Sequence, residues 1–272
     1  MDVKKIFVPI DFTTTSEQST KQAIAIALRI NYPVTLFHVI TDESADESEN
    51  AVIIDKLKAI ANTVNKEGVI CDYQTATGSI FDEIPKAANK LGNQLMVIGT
   101  HGIQGIKQKL MGADMLKLIR KVIVPCLVVQ RECVCRDYHP IVFPVGGHEG
   151  FGALIEATAM MAKLFGSEVH LYSVIRRGDD GSQKLKDNTA FAMKYFEDNK
   201  IPNKRVQEES TVFSVGFAKQ TLQYADKVNA GLIAMMSVKT EEYFYFAQAD
   251  KESLINNQYN IPVLCSSGMF NY

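Results

Sequence analysis

The sequence predicts an α/β protein built as two tandem, five-stranded, parallel-sheet domains of Rossmann-like layout, with helices on both faces of each sheet. Three observations carry this expectation. Apolar strand-like runs alternate with amphipathic helical patterns along nearly the whole chain, which means parallel strands joined by right-handed crossovers. The series then repeats. Ile141 to Gly146 echoes Ile6 to Asp11 at an offset of 135 residues, while Leu232 to Met236 echoes Leu95 to Gly99, and Asn260 to Cys265 echoes Ile123 to Val128, at 137. A repeat this long reads as two copies of one domain, placed at residues 1–130 and 139–272 with a polar linker at Gln130 to Tyr138. Finally, Asp11, Val39 and Gly99 close three strand-like runs of the first copy. In such sheets ligands sit beyond the carboxyl ends of the strands, where the strand order reverses.

Taken in order, Ile6 to Asp11 is a buried-type strand ending in a carboxylate. Thr14-x-x-Glu17 reads as a capping box, and the helix behind it shows Ala23, Ile26, Ala27 and Ile30 on one face. Val34 to Ile40 is the second strand. An acidic loop, Thr41 to Asn50, leads into a helix marked by Ile53, Leu57, Ile60, Ala61 and Val64. Val69 to Tyr73 is the third strand. Gly78 turns the chain into a helix with Ile80, Ile84, Ala87, Ala88 and Leu91 facing inward, where Pro85 falls early enough to be tolerated. Leu95 to Gly99 and Pro125 to Val129 are the fourth and fifth strands. The second copy follows the same order. It has a helix through Leu154, Thr158, Met161, Ala162 and Phe165, strands Val169 to Ile175 and Arg205 to Glu209, and a helix with Phe217, Leu222 and Ala225.

Bulk properties exclude several classes. The chain has 272 residues, 46% hydrophobic and 22% charged, with 29 basic against 31 acidic side chains. That is an ordinary balance for a soluble protein, and it gives no reason to expect a nucleic acid or an anionic membrane as partner. No apolar run approaches the ~20 residues of a membrane helix, and the start of the chain lacks the apolar core of a signal peptide. A cytoplasmic protein is expected. Cys71, Cys126 and Cys265 fall in apolar runs as small hydrophobes. Cys133-x-Cys135 lies in the linker without a second pair at metal spacing, so no metal site is expected from it.

The stretch richest in chemistry is Gly99-Thr100-His101-Gly102, nine residues, then Gly112-Ala113-Asp114. Gly99 and Gly102 at a strand end admit φ > 0 and close approach of a ligand. Gly112 precedes the apolar-periodic segment Met115, Leu118, Ile119, Val122. A helix start exposes free N–H groups that favour anions. It is neither a Walker A loop nor the dinucleotide fingerprint, and on spacing alone turn glycines and a ligand loop are equal readings. No base or nucleophile accompanies His101, His38 reads as packing within its strand, and no catalytic residue is expected. Asp11 has a local reading too, as a turn or helix-capping acid.

Gly-x-x-Gly, nine residues, Gly, then a strand with Pro-x-Leu-Val-Val resembles the nucleotide loop of the universal stress protein family. The resemblance implies the adenine nucleotide alpha-hydrolase-like fold and ATP, with Mg²⁺, as ligand. Carried over position by position, it implies an adenosine contact at Asp11 with Pro9 and Ile10, and an adenine pocket wall at Val39. It also implies a phosphate loop at Ile98, Gly99, Gly102, Gly112 and Ala113. Ala113 departs from the Ser or Thr of the family pattern, and Asp114 adds a negative charge. The resemblance implies pairing through the last strand of the sheet, here between the two copies, with homodimerisation as a further option.

In the second copy Asp11 becomes Gly146, Gly99 becomes Met236, Gly102 becomes Lys239 and Gly112 becomes Ala249. Thr240 to Phe246 replaces the loop. Its aromatics either fill the nucleotide space or cover a domain contact. The expected function is a tandem universal stress protein, a non-enzymatic stress-response module binding ATP in its first copy. The alternative is a scaffold of the same fold that binds no nucleotide and acts through protein contacts. An enzyme on this layout, such as a slow ATPase, ranks last, because fold alone does not license chemistry.

Overall fold

A computed structural model describes residues 4–41, 47–90, 92–100, 112–133, 137–176, 181–210, 217–238 and 246–267. The chain divides into two units, Met1–Cys135 and Arg136–Tyr272. In the first unit the elements are β1 (Lys5–Pro9), α1 (Thr14–Ile30), β2 (Val34–Ile40), α2 (Glu47–Lys66) and β3 (Cys71–Thr77). They continue with α3 (Ile80–Ala88), β4 (Asn93–Gly99), α4 (Gly112–Ile119) and β5 (Cys126–Val129). In the second they are β6 (Ile141–Pro144), α5 (Gly152–Phe165), β7 (Val169–Arg176), α6 (Gln183–Asp198) and β8 (Asn203–Ser210). That unit closes with α7 (Ala218–Lys227), β9 (Leu232–Met236), α8 (Gln248–Ile255) and β10 (Val263–Ser266).

Within the first unit the strands run parallel in the order β3-β2-β1-β4-β5. Within the second the order is β8-β7-β6-β9-β10, again parallel. The direction of travel reverses after β3 and after β8. With right-handed crossovers the two helices before each reversal cover one face and the two after it the other. Accordingly α3 packs on α4, and α7 on α8. Past their first residues the central strands run apolar, with Ile6, Val8, Met96 and Val97 fully buried, as a parallel strand covered on both sides requires.

Four local expectations shift. The third strand is Cys71–Thr77, not Val69 to Tyr73, and pairs residue for residue with Val34–Ile40. It is an edge strand of mixed polarity (CDYQTAT), so its apolar run ends before the strand does. The cap of α1 is Thr13, whose Oγ1 accepts from Ser16 N at 3.4 Å, and Glu17 stands one position past the capping-box site. In the linker, Cys133 and Tyr138 are buried rather than solvated. Gln22 Nε2 contacts Cys133 Sγ at 3.7 Å, and Tyr138 packs edge-on against Phe165 at 4.6 Å. Cys71 is only half-buried, beside Asp72, and its thiol is pushed up to about 12, first by desolvation.

Pro85 sits inside α3, past the first turn where it was expected to be tolerated. Proline has no N–H for the carbonyl four residues back. That carbonyl, Phe81 O, accepts instead from Lys121 Nζ at 3.0 Å, while the same ammonium pairs with Asp82 at 2.9 Å.

Candidate functional site

The site is built on the β1–α1 turn. Ile10 N donates to Phe37 O at 2.8 Å, which carries the ladder one step past β1. His38 Nδ1 donates to Ile10 O at 2.7 Å. A carbonyl only accepts, so the proton is on Nδ1. Burial holds the His38 ring below its ordinary pKa, which favours the neutral form. The chain then turns through Asp11 and Phe12, where Phe12 takes φ 63°, the left-handed region where a side chain is uncommon. The Phe12 ring lies 4.8 Å from His38, with Lys56 Nζ 5.4 Å from the Phe12 ring centre.

Asp11 divides its carboxylate between two situations. Oδ1 accepts from Thr13 N at 3.0 Å and from Thr13 Oγ1 at 2.6 Å, fixing the turn that starts α1. Oδ2 is buried and has no hydrogen-bond partner. Burying an acceptor unsatisfied costs about 1–3 kcal/mol, more for a charged group, and native structures leave few such atoms without a reason. An ionised carboxylate accepts and never donates, so an O–H, an N–H or a cation would complete this site.

The parallel register sets several of the other expected residues at the same end of the sheet. Pro9 pairs with Phe37 and Phe7 with Met96. Continued along the strands, this sets Asp11 level with Val39 and Ile10 level with Gly99, on the three adjacent strands β2-β1-β4. Pro9, Ile10, Val39 and Ile98 are all buried. Gly112 opens α4; Ala113 is exposed and Asp114 stands in the first turn. Gly102, together with His101, lies outside the described residues.

Gly99 does not use the left-handed backbone expected of it. Its φ is outside the left-handed region. A Cβ there would stand 2.6 Å from Thr15 Cγ2 and 3.0 Å from the Thr15 backbone carbonyl. The glycine is needed because α1 crosses β4 closely.

A model of the universal stress protein family matches residues 2–130. Residues 2–130 are a universal stress protein domain. Universal stress protein MJ0577 of Methanocaldococcus jannaschii is 26% identical over 155 residues, spanning 47% of this chain and 96% of that protein. Universal stress protein YxiE of Bacillus subtilis is 26% identical over 145 residues, 46% of this chain and 98% of that protein. A universal stress protein structure from Archaeoglobus fulgidus DSM 4304 superposes on both units, with a TM-score of 0.75 over 96% of this chain and 97% of that one, at 17% identity. Both units therefore carry the fold of that universal stress protein structure.

In the second unit the place of Asp11 is taken by Gly146, and that turn is tied down from α6. Asn188 Nδ2 donates to Gly146 O at 2.7 Å and to His148 O at 2.8 Å. At the level of Asp114 stands Lys251, fully buried, whose ammonium donates to Val238 O. Phe246 is buried; Tyr243 to Tyr245 lie outside the described residues. A turn spanned by an amide and an internal ammonium are not the acceptor-and-bare-backbone arrangement of the first unit.

Sequence reasoning missed two parts of the first site. His38, expected to be packing, bonds the carbonyl that precedes Asp11. Phe12 is bent into the left-handed region against the two residues beside it. Neither has a signal in spacing: one rests on the strand register, the other on a single dihedral.

Among the described residues no three His, Cys, Asp or Glu side chains come together to hold a metal. No helix among them is long and apolar enough to cross a membrane.

Proposed function

We propose that the first unit binds an adenine nucleotide, ATP with Mg²⁺, as a regulatory stress-response module rather than as an enzyme. The observation that carries this is Asp11 Oδ2, a buried acceptor without a partner at the reversal point of the sheet. The hydroxyls or amine of an adenosine supply the donors it lacks. The α4 N-terminus, opened by Gly112, offers N–H groups to phosphates. Mg²⁺ would be carried chiefly by the phosphates and water. The free cysteines among the described residues suit the reducing cytoplasm.

The test is calorimetric titration of nucleotide-stripped full chain with ATP, with and without Mg²⁺, beside Asp11→Asn. The variant keeps an acceptor for Thr13 and turns Oδ2 into a donor. Micromolar binding that weakens by roughly 10- to 100-fold in the variant, the size of a lost hydrogen bond to a charged group, is the expected result. No binding at millimolar ATP refutes the reading.

A second reading, a protein-contact scaffold, is favoured by one feature. Asp114 already places a carboxylate in the first turn of α4, where the helix dipole favours an anion. Under that reading ATP leaves the chain untouched.

A further inference from the structure

The second unit carries a polar chain, buried at its centre and exposed at its Lys204 end, that has no counterpart among the described residues of the first. Lys204 Nζ donates to Glu168 Oε2 at 2.8 Å, and His170 Nε2 donates to the same oxygen at 2.8 Å. The Tyr224 hydroxyl, from α7, donates to His170 Nδ1 at 2.9 Å. Tyr224 stacks on Tyr172 with ring centres 4.6 Å apart, and the Tyr172 hydroxyl donates to Glu208 at 2.7 Å. His170, Tyr172 and Tyr224 are all buried. Glu168 N closes the group by donating to His139 Nδ1 at 3.2 Å.

The equivalent face of the first unit is built differently. The register that pairs Val34 with Cys71 there pairs Val169 with Asn203 here. Pro33, Thr35 and Phe37 thus stand for Glu168, His170 and Tyr172, and Asp72 and Ala76 for Lys204 and Glu208. At the offset relating β4 to β9, Ala87 stands for Tyr224. The same fold is therefore made without the chain of hydrogen bonds. A buried network is weak evidence for extra stability over apolar packing, so its presence in one unit alone calls for another role.

Its tautomers are fixed. The Glu168 carboxyl is held below its ordinary range, first by the Lys204 ammonium, so it accepts from Nε2–H. Nδ1 is then the acceptor for Tyr224. A proton taken up at Nδ1 reverses that contact, so that N–H donates to the tyrosine oxygen, and the Tyr224 O–H loses the acceptor it had. The groups facing His170 are Glu168 ahead of its strand, Tyr172 on it, Lys204 and Glu208 on β8, Tyr224 on α7 and His139 before β6. Burial, the Lys204 charge and His139 oppose the imidazolium, while Glu168 favours it; the balance lies below the ordinary histidine value.

We propose that this network is a proton-operated latch, holding α7 on the sheet at neutral pH and releasing it in mild acid. It is independent of nucleotide binding in the first unit. The test is amide hydrogen exchange of the full chain at pH 7.5 and 5.5, corrected for intrinsic rates, comparing α7 with α5 of the same unit. In the wild type, α7 opening should rise about fivefold in acid, the factor set by one buried donor left without an acceptor, with α5 unchanged. His170→Gln keeps a donor toward Glu168 and cannot titrate there, so its α7 should be insensitive to pH. Should that variant not fold, Tyr224→Phe provides the second arm. It removes the hydroxyl that favours the neutral ring, so the His170 midpoint, read by ring NMR, should rise and α7 should loosen at higher pH. The latch is overturned if α7 and α5 loosen together, if α7 does not respond, if His170→Gln keeps the response, or if Tyr224→Phe leaves the midpoint in place.

Discussion

A Cβ added at Gly99 would press on the methyl and the backbone carbonyl of Thr15, and a buried helix start cannot back away freely. Gly99→Ala should therefore cost about 1–3 kcal/mol by overpacking, read as a drop in the urea midpoint at constant slope. Thr15→Ser removes the nearer obstacle, Cγ2, so the double variant should recover part of the loss. Full additivity of the two changes would show that they do not meet. Asp11 presents the opposite case. Its type and place were legible in the sequence, and so were two competing roles, turn acid and ligand contact. The structure gives one oxygen to the turn and leaves the other without a partner. Sequence could not divide them, because both readings ask for the same residue at the same position.

At the scale of elements, periodicity found the strands and helices wherever burial is two-sided or the apolar stripe is long. It slipped where polarity no longer reports burial. β3 runs to Thr77 through alternating exposed positions, and the buried Cys133 and Tyr138 lie in a stretch that reads as linker. The start of α1 slipped by one residue because three threonines adjoin, Thr13 to Thr15, and only tertiary geometry decides between them. Asp11 holds Thr13, so Thr13 caps. Thr13→Ala should then cost about 1 kcal/mol, the usual value of such a cap, and Thr14→Ala distinctly less. Equal losses in thermal unfolding of the two variants would return the cap to Thr14. The same argument explains Pro85: its place in the helix was readable, but the lysine that satisfies the freed carbonyl comes from 40 residues away.

At the scale of the whole molecule, the half-buried His38 of the first unit and the buried His170 of the second are both held below the ordinary value, in both cases first through desolvation. The sign follows from proton uptake. The unfolded chain binds a proton near pH 6.5, and the folded chain only at lower pH, so the unfolded state holds more protons in between and stability rises with pH there. Stability should be fully present above about pH 6.5 and be lost as pH falls toward the folded midpoints. Urea unfolding of the full chain between pH 7.5 and 5.0 measures it. His38→Asn keeps a donor near the Nδ1 position for Ile10 O, and His170→Gln keeps one toward Glu168, yet neither side chain titrates. The double variant should lose stability more gently over this range than the wild type, with carboxylates left to account for the steeper fall below it. An unchanged slope would mean that neither ring is held neutral by the fold. Residue, element and unit would then have to be reconnected through other groups, beginning with the pairing of Glu168 to Lys204.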